Sequence, residues 1–254
     1  MATTPDTDAR ARWRGLLRLA LIVLIAVGAL VHVYVQVVIP PVLVFMILFG
    51  VTLFLLTREG RARTVGVVLG GVFAVLFLVG NLPFVIADVS HPDSFLPFLA
   101  SAAGIVGSLL GFVAMLGALL AWPSPAVRPL TIAGGVAIIV LAIVSLVSSL
   151  GVESDEAQPD DVVLIAQDVD FEPEGTNLER TEDASLEVEE GGAVFVENKD
   201  LYRHTFAIDE LNLEVELPAR AERRIEIDAP AGDYVFYCSV EGHEEDMRGT
   251  LTVG

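Results

Sequence analysis

Residues 234–251 read Tyr-Val-Phe-Tyr-Cys-Ser-Val-Glu-Gly-His-Glu-Glu-Asp-Met-Arg-Gly-Thr-Leu. Tyr234, Phe236 and Cys238 fall on alternate positions, so the run predicts a strand that carries the cysteine sulfur toward an apolar interior at its end. Cys238, His243 and Met247 then follow one another as C-x4-H-x3-M within a single loop. A thiolate, an imidazole and a thioether, joined by an imidazole from upstream, are the donor set of a blue, electron-transferring copper site. Scarcity sharpens the pattern. Cys238 is the one cysteine of the chain. Met247 is the only methionine after Met115, and His204 and His243 are the only histidines after His91. The soft and imidazole ligands of the last third of the chain therefore form one set of four.

Outward from that loop the chain divides by composition. Its 254 residues are 54% hydrophobic yet carry 34 acidic side chains and a formal charge of -19. Residues 1–152 hold eight basic side chains, all arginine, against five acids, whereas from Glu153 onward seven basic face 29 acidic. The first part reads as a membrane region and the second as a strongly acidic, water-soluble domain.

Five stretches of residues 1–152 approach or exceed the roughly 20 apolar residues that cross a bilayer: 15–38, 41–56, 64–86, 96–122 and 130–150. Pro40-Pro41 separates the first two, because proline cannot continue a helix interior. Arginine placement gives an orientation. Arg10, Arg12, Arg14 and Arg18 precede or enter the first stretch, Arg58, Arg61 and Arg63 lie between the second and third, and Arg128 precedes the fifth. The alternate connections carry no basic residue. The positive-inside rule then puts the N-terminus in the cytoplasm and the C-terminal domain on the extracytoplasmic side of a multi-pass cell-membrane protein. The apolar run after the N-terminal arginines is too long for a cleaved signal core. Within the bundle, Gly66-x3-Gly70 and Gly107-x3-Gly111 predict close helix packing. His32 and His91 near the outer face could be imagined as haem ligands, but they read better as interfacial residues.

Residues 153–161, with five acids and a proline, read as a solvated linker. Residues 162–254 show short β-branched and aromatic runs at 162–166, 185–188, 193–197, 205–208, 213–217, 224–227, 234–238 and 250–253, separated by turn residues such as Gly191-Gly192 and Pro230-Ala231-Gly232. About eight strands in such a length is the density of an antiparallel β-sandwich. The expected fold is thus an all-α transmembrane bundle followed by an all-β sandwich.

The stretches "NKDLYRHTFAID" (198–209) and "PAGDYVFYCSVEGHEEDMRGTLTVG" (230–254) together resemble the cupredoxins, the family of plastocyanin, azurin and amicyanin. "VDFEPEGTNL" (169–178) and "LEVEEGGAVFVEN" (186–198) resemble that family's opening strands, and nothing in residues 1–152 shares the likeness. The resemblance implies a Greek-key sandwich that holds one type 1 copper through His204, Cys238 and His243, with Met247 as a weak axial ligand. It further implies one-electron transfer by Cu(I)/Cu(II) cycling, with His243 as the exposed edge and with Thr205, next to His204, in support of the cysteine. Two features depart from the family. The segment from His204 to Cys238 is shorter than in azurin, and Glu241, Glu244, Glu245 and Asp246 surround His243 where the family presents an apolar patch. Such anions favour Cu(II), which predicts a low reduction potential, and they suit a basic partner or a saline setting in which charge is screened, the acidic surface as a whole reading better as solubility or salt adaptation than as partner recognition.

No nucleophile with a base and no phosphate loop is visible, so the chain reads as a carrier rather than an enzyme. The expected partners are the membrane and a redox protein such as a cytochrome or terminal oxidase; the acidic charge disfavours nucleic acid. A different class of reading stays open, a copper sensor, buffer or metal-delivery module without electron traffic.

Overall fold

The computed structural model describes residues 5–35, 38–176 and 183–254. These cluster into two compact units, residues 1–92 with 97–145 and residues 93–96 with 146–254.

The first unit is helical: α1 (Pro5–Val35), α2 (Pro40–Leu56), α3 (Arg61–Gly80), α4 (Leu82–Ser90), α5 (Phe95–Leu119) and α6 (Val127–Leu150). Among the described residues, four helical segments are long and apolar enough to cross a membrane, Thr7–Val35, Arg61–Gly80, Phe95–Leu119 and Ser124–Leu150, and Pro40–Leu56 is a shorter apolar helix. Large apolar side chains face outward along them, among them Ile22, Phe54, Ile139 and Val147. An apolar exterior of that extent suits lipid, not water. Two of the expected stretches need new bounds. The first helix begins at Pro5, ahead of the expected stretch 15–38, of which Gln36 and Val37 lie outside the described residues. The third, expected at 64–86, breaks at Asn81 into α3 and the nine-residue α4. Pro83 has no N–H to give to the preceding turn, and Asn81 caps α3 by giving both its backbone N–H and its side-chain amide to the Phe77 carbonyl. The glycine pairs do pack helices closely. A Cβ on Gly66 would meet Leu55 at 2.9 Å, one on Gly70 would meet Thr52 at 3.1 Å, and those on Gly107 and Gly111 would meet Leu24 and Ala74 at 3.1 Å.

The described residues of the second unit carry nine strands: β1 (Val162–Gln167), β2 (Asp170–Pro173), β3 (Ala184–Val188), β4 (Ala193–Asn198), β5 (His204–Ile208), β6 (Leu213–Leu217), β7 (Glu222–Glu226), β8 (Gly232–Tyr237) and β9 (Arg248–Val253). They form one sheet in the order β2-β1-β4-β7 and another in the order β3-β9-β8-β5-β6. Both sheets are mixed and not purely antiparallel, because β1 runs parallel to β4 and β3 parallel to β9. The extra strand β2 pairs antiparallel with β1 through a tight turn at Asp168–Val169. Alternation decides what lies between the sheets. In β3, Ala184, Leu186 and Val188 are buried while Ser185 and Glu187 are exposed. The rings of Phe171, Phe206 and Phe236 meet in the core with centroids 5.1–6.4 Å apart. Cys238 and Met247 are buried in the same cluster.

The acidic segment ahead of β1 is not simply solvated. Asp155 donates its N–H to the Glu222 carbonyl, Ser154 Oγ accepts from the Glu222 N–H, and Arg223 reaches the Glu153 carbonyl. Arg224 gives its backbone N–H to the Asp155 carboxylate at 3.0 Å and its Nε to both Asp161 oxygens at 3.0–3.1 Å. Residues 153–161 are in this way strapped along β7, the open edge of their sheet.

Candidate metal centre

His204 opens β5, and Cys238 follows the last residue of β8, two strands that lie side by side. The loop from Cys238 to Met247 is closed by its own backbone. The Cys238 N–H donates to the Met247 carbonyl at 2.9 Å, the His243 N–H donates to Val240, and the His243 carbonyl accepts from Asp246 and Met247 at 3.1 and 2.8 Å. Gly242, at φ +88°, turns the chain just before His243, a conformation that glycine adopts without strain. His204, Cys238 and Met247 are wholly buried and His243 is half-buried.

The structure brings His204, Cys238 and His243 to one point. Cys238 Sγ lies 3.8 Å from Nδ1 of each histidine, and the two Nδ1 atoms are 3.3 Å apart. The centre of such a triangle is about 2.1 Å from every corner, within the range of metal–nitrogen and metal–thiolate bonds. Two imidazole lone pairs and a sulfur converging so closely repel one another unless a cation lies among them. The donor set therefore fits a metal, and its N₂S composition suits copper. Met247 is buried in the same apolar cluster as Cys238, whose N–H its backbone carbonyl accepts.

Each donor is held from behind. Nε2–H of His204 donates to Asp200 Oδ2 at 2.8 Å, which would free the Nδ1 lone pair for a bound metal ion, whereas without one a proton on Nδ1 is donated to the sulfur. Asp200 is fixed in turn, since its N–H donates to Asn198 Oδ1 while the Asn198 amide reaches the carbonyls of Tyr202, Leu217 and Pro218. The Tyr202 ring packs against both imidazoles, with centroids 5.1 and 5.9 Å away. Thr205 does stand at the cysteine as expected. Its N–H lies 3.4 Å and its hydroxyl 3.8 Å from Sγ.

The electrostatics follow from these contacts. Burial pushes the Cys238 thiol up, but hydrogen bonds from His204, His243 and the Thr205 N–H overcome it and bring the pKa down from 9.0 to about 5. Burial opposes a charge on His204, yet Asp200 and Cys238 lift its pKa above the ordinary imidazole value. Burial likewise raises Asp200, and the donors around it, His204 foremost, hold it below the usual carboxylate range. A buried thiolate waiting opposite two imidazoles is what a thiophilic metal ion requires.

Residues 136–253 match the family model of the cupredoxin-like domain, a match that begins within α6. The C-terminal unit is a cupredoxin-like domain. Among solved structures, a reduced amicyanin variant is 17% identical over 39% of this chain and 87% of its own, with a TM-score of 0.30. An oxidised amicyanin variant is 18% identical over 40% and 89%, with a TM-score of 0.31. A copper-containing nitrite reductase from Thermus scotoductus is 20% identical over 41% of this chain and 24% of its own, with a TM-score of 0.29. No curated protein matches the chain.

In the helical unit, His32 has both ring nitrogens engaged, Nδ1 with the Gly28 carbonyl at 2.7 Å and Nε2 with the Ile39 N–H at 3.3 Å. His91 Nδ1 lies 2.8 Å from the Ala87 carbonyl. These are helix-end contacts, in keeping with the interfacial reading. Sequence reasoning missed Asp200, Asn198, Ser239 and Glu214 as members of the site. Only Asp200, four residues before His204, carried a signal that could have found it.

Proposed function

We propose that this chain is a membrane-anchored type 1 copper protein that carries single electrons at the extracytoplasmic face. One observation carries the reading: the triangle of His204, Cys238 and His243, with Met247 buried in the same apolar cluster as Cys238, in a cupredoxin-like domain. Copper, when bound, supplies a one-electron couple, and the mixed thiolate and imidazole donors suit both of its oxidation states. The chain's part is to hold those donors still. His204 is fixed by Asp200, the loop carbonyls and N–H groups pair with each other, and the sandwich core closes over the sulfur. Half-buried His243 is the exit toward a partner.

The partner is a redox protein, such as a cytochrome or terminal oxidase, with a basic docking face. Exposed Glu241, Glu244, Glu245 and Asp246 ring His243, and complementary charge speeds encounter. The arginine distribution supports a cytoplasmic N-terminus, and the apolar helices serve as anchor. The role is that of a carrier and not an enzyme.

The test is colour. The purified full-length protein, given Cu(II), is expected to develop the intense visible thiolate-to-copper band, and Cys238→Ser to abolish it. A colourless wild-type protein, or a band that survives Cys238→Ser, refutes the site. Fast copper loss to a chelator together with an irreversible redox titration would favour a buffer or delivery role instead.

A further inference from the structure

The sulfur of Cys238 has two possible donors on one neighbour, the N–H of Thr205 at 3.4 Å and its hydroxyl at 3.8 Å. The hydroxyl has a competing acceptor. Thr205 Oγ1 accepts the Ser239 N–H at 2.7 Å and lies 3.0 Å from Ser239 Oγ, which is itself 2.5 Å from Glu214 Oε1. Proton counting orders this chain of contacts. An ionised carboxylate can only accept, so the single hydroxyl proton of Ser239 goes to Glu214. Ser239 Oγ then offers its lone pairs to Thr205, and an O–H···O contact at 3.0 Å outcompetes an O–H···S contact at 3.8 Å. The Thr205 hydroxyl proton accordingly points away from the sulfur, and of the two Thr205 donors only the backbone N–H serves Sγ.

We propose that Ser239 and Glu214 are positioning residues that set how many hydrogen bonds the Cys238 sulfur receives, and thereby tune the reduction potential of the site from the protein surface. The proposal rests on the copper reading above. Glu214 and Ser239 are exposed whereas Thr205 and Cys238 are buried, so the relay joins an external carboxylate to the buried ligand. With Ser239 Oγ removed, the sulfur is the remaining acceptor among these contacts for the Thr205 proton. A second donor draws electron density from the thiolate and so favours the lower metal charge. The change needs only a hydroxyl rotation.

The experiment compares copper-loaded full-length proteins by redox titration and by the energy of the thiolate-to-copper band. Ser239→Ala removes no charge, and is expected to shift the preference toward Cu(I) by about threefold to tenfold, roughly 30–60 mV at 59 mV per tenfold for one electron. The band should move to higher energy. In a Thr205→Val background the same substitution should change neither quantity, and Thr205→Ser, which keeps the hydroxyl, should restore the response. Glu214→Ala removes a charge as well, so it should raise the potential in both backgrounds but further where Thr205 is intact. Equal shifts in the wild-type and Thr205→Val backgrounds, or no shift with Ser239→Ala, would overturn the relay while leaving the copper site standing. A wild-type protein without the visible band would overturn the copper reading itself, and the relay with it.

Discussion

Replacing Asp200 tests whether His204 is held from behind. The pair is buried, 2.8 Å long, and joins an imidazole N–H to a carboxylate. Hydrogen bonds with a charged member contribute about 1.5–3 kcal/mol, and a buried donor left without a partner costs about 1–3 kcal/mol. Asp200→Ala should therefore lower the stability of the metal-free domain by about 2–3 kcal/mol. Loss of such an outer partner also weakens metal binding, by about tenfold to a hundredfold. Asp200→Asn keeps an oxygen acceptor without the charge, and should recover most of the stability but less of the Cu(II) affinity. The assay is urea unfolding of a soluble fragment that begins at Gly151, so that the segment strapped to β7 is retained, followed by competition for Cu(II) with a chelator of known affinity. An alanine variant within about 0.5 kcal/mol of wild type, with undiminished copper affinity, would refute the idea that this carboxylate fixes the ligand, because a neutral surface substitution moves stability by that much.

Other expectations are narrower. In the metal-free protein the thiolate absorbance of Cys238 should titrate with a midpoint near pH 5, and a midpoint near the ordinary 9.0 would contradict the contacts with His204 and His243. Because the folded value is depressed, this group's share of metal-free stability is absent below about pH 5, grows as the pH rises, and is complete above the unfolded value. Gly249→Ala would drive a methyl into the Phe236 ring and the Ala184 carbonyl, so thermal unfolding should show a loss at the upper end of the roughly 1–3 kcal/mol typical of overpacking. Arg224→Ala should loosen the Asp161 end of the strap, whose carboxylate it holds by side chain, seen as faster proteolytic cutting near that end while the copper band keeps its position. Unchanged cutting would mean that the strap does not depend on Arg224.

The site was legible in the sequence to the extent that its chemistry is concentrated. Cys238, His243 and Met247 share one loop, and a single remaining histidine in that domain leaves little choice for the fourth member. The eight runs with β-branched and aromatic character all became strands, because alternation is read directly from burial. β2 was absent from the runs read by composition, because Asp170-Phe171-Glu172-Pro173 has two acids and a proline, and only the resemblance of 169–178 to opening strands pointed to it; it forms because Phe171 is buried in the core and the Asp168–Val169 turn, with both residues at positive φ, folds it back on β1. The parallel pairings of β1 with β4 and β3 with β9 leave no local mark. The break at Asn81 was hidden by unchanged hydropathy across 77–86, although Pro83 announced it. Five acids in nine residues suggest solvent, and residues 153–160 are indeed exposed; what only the fold reveals is that Glu222, Arg223 and Arg224 also hold the segment along β7. Asp200 resembled one more surface charge in a domain full of them.

The closed backbone of the 238–247 loop bears on how such a protein is made. Its hydrogen bonds run from chain to chain, and its donors already face one another with outer partners in place. The loop backbone is thus set by bonds that involve no metal. On the proposed copper reading, membrane insertion and sandwich formation can precede copper delivery, and the ion is needed only to hold the three converging donors together.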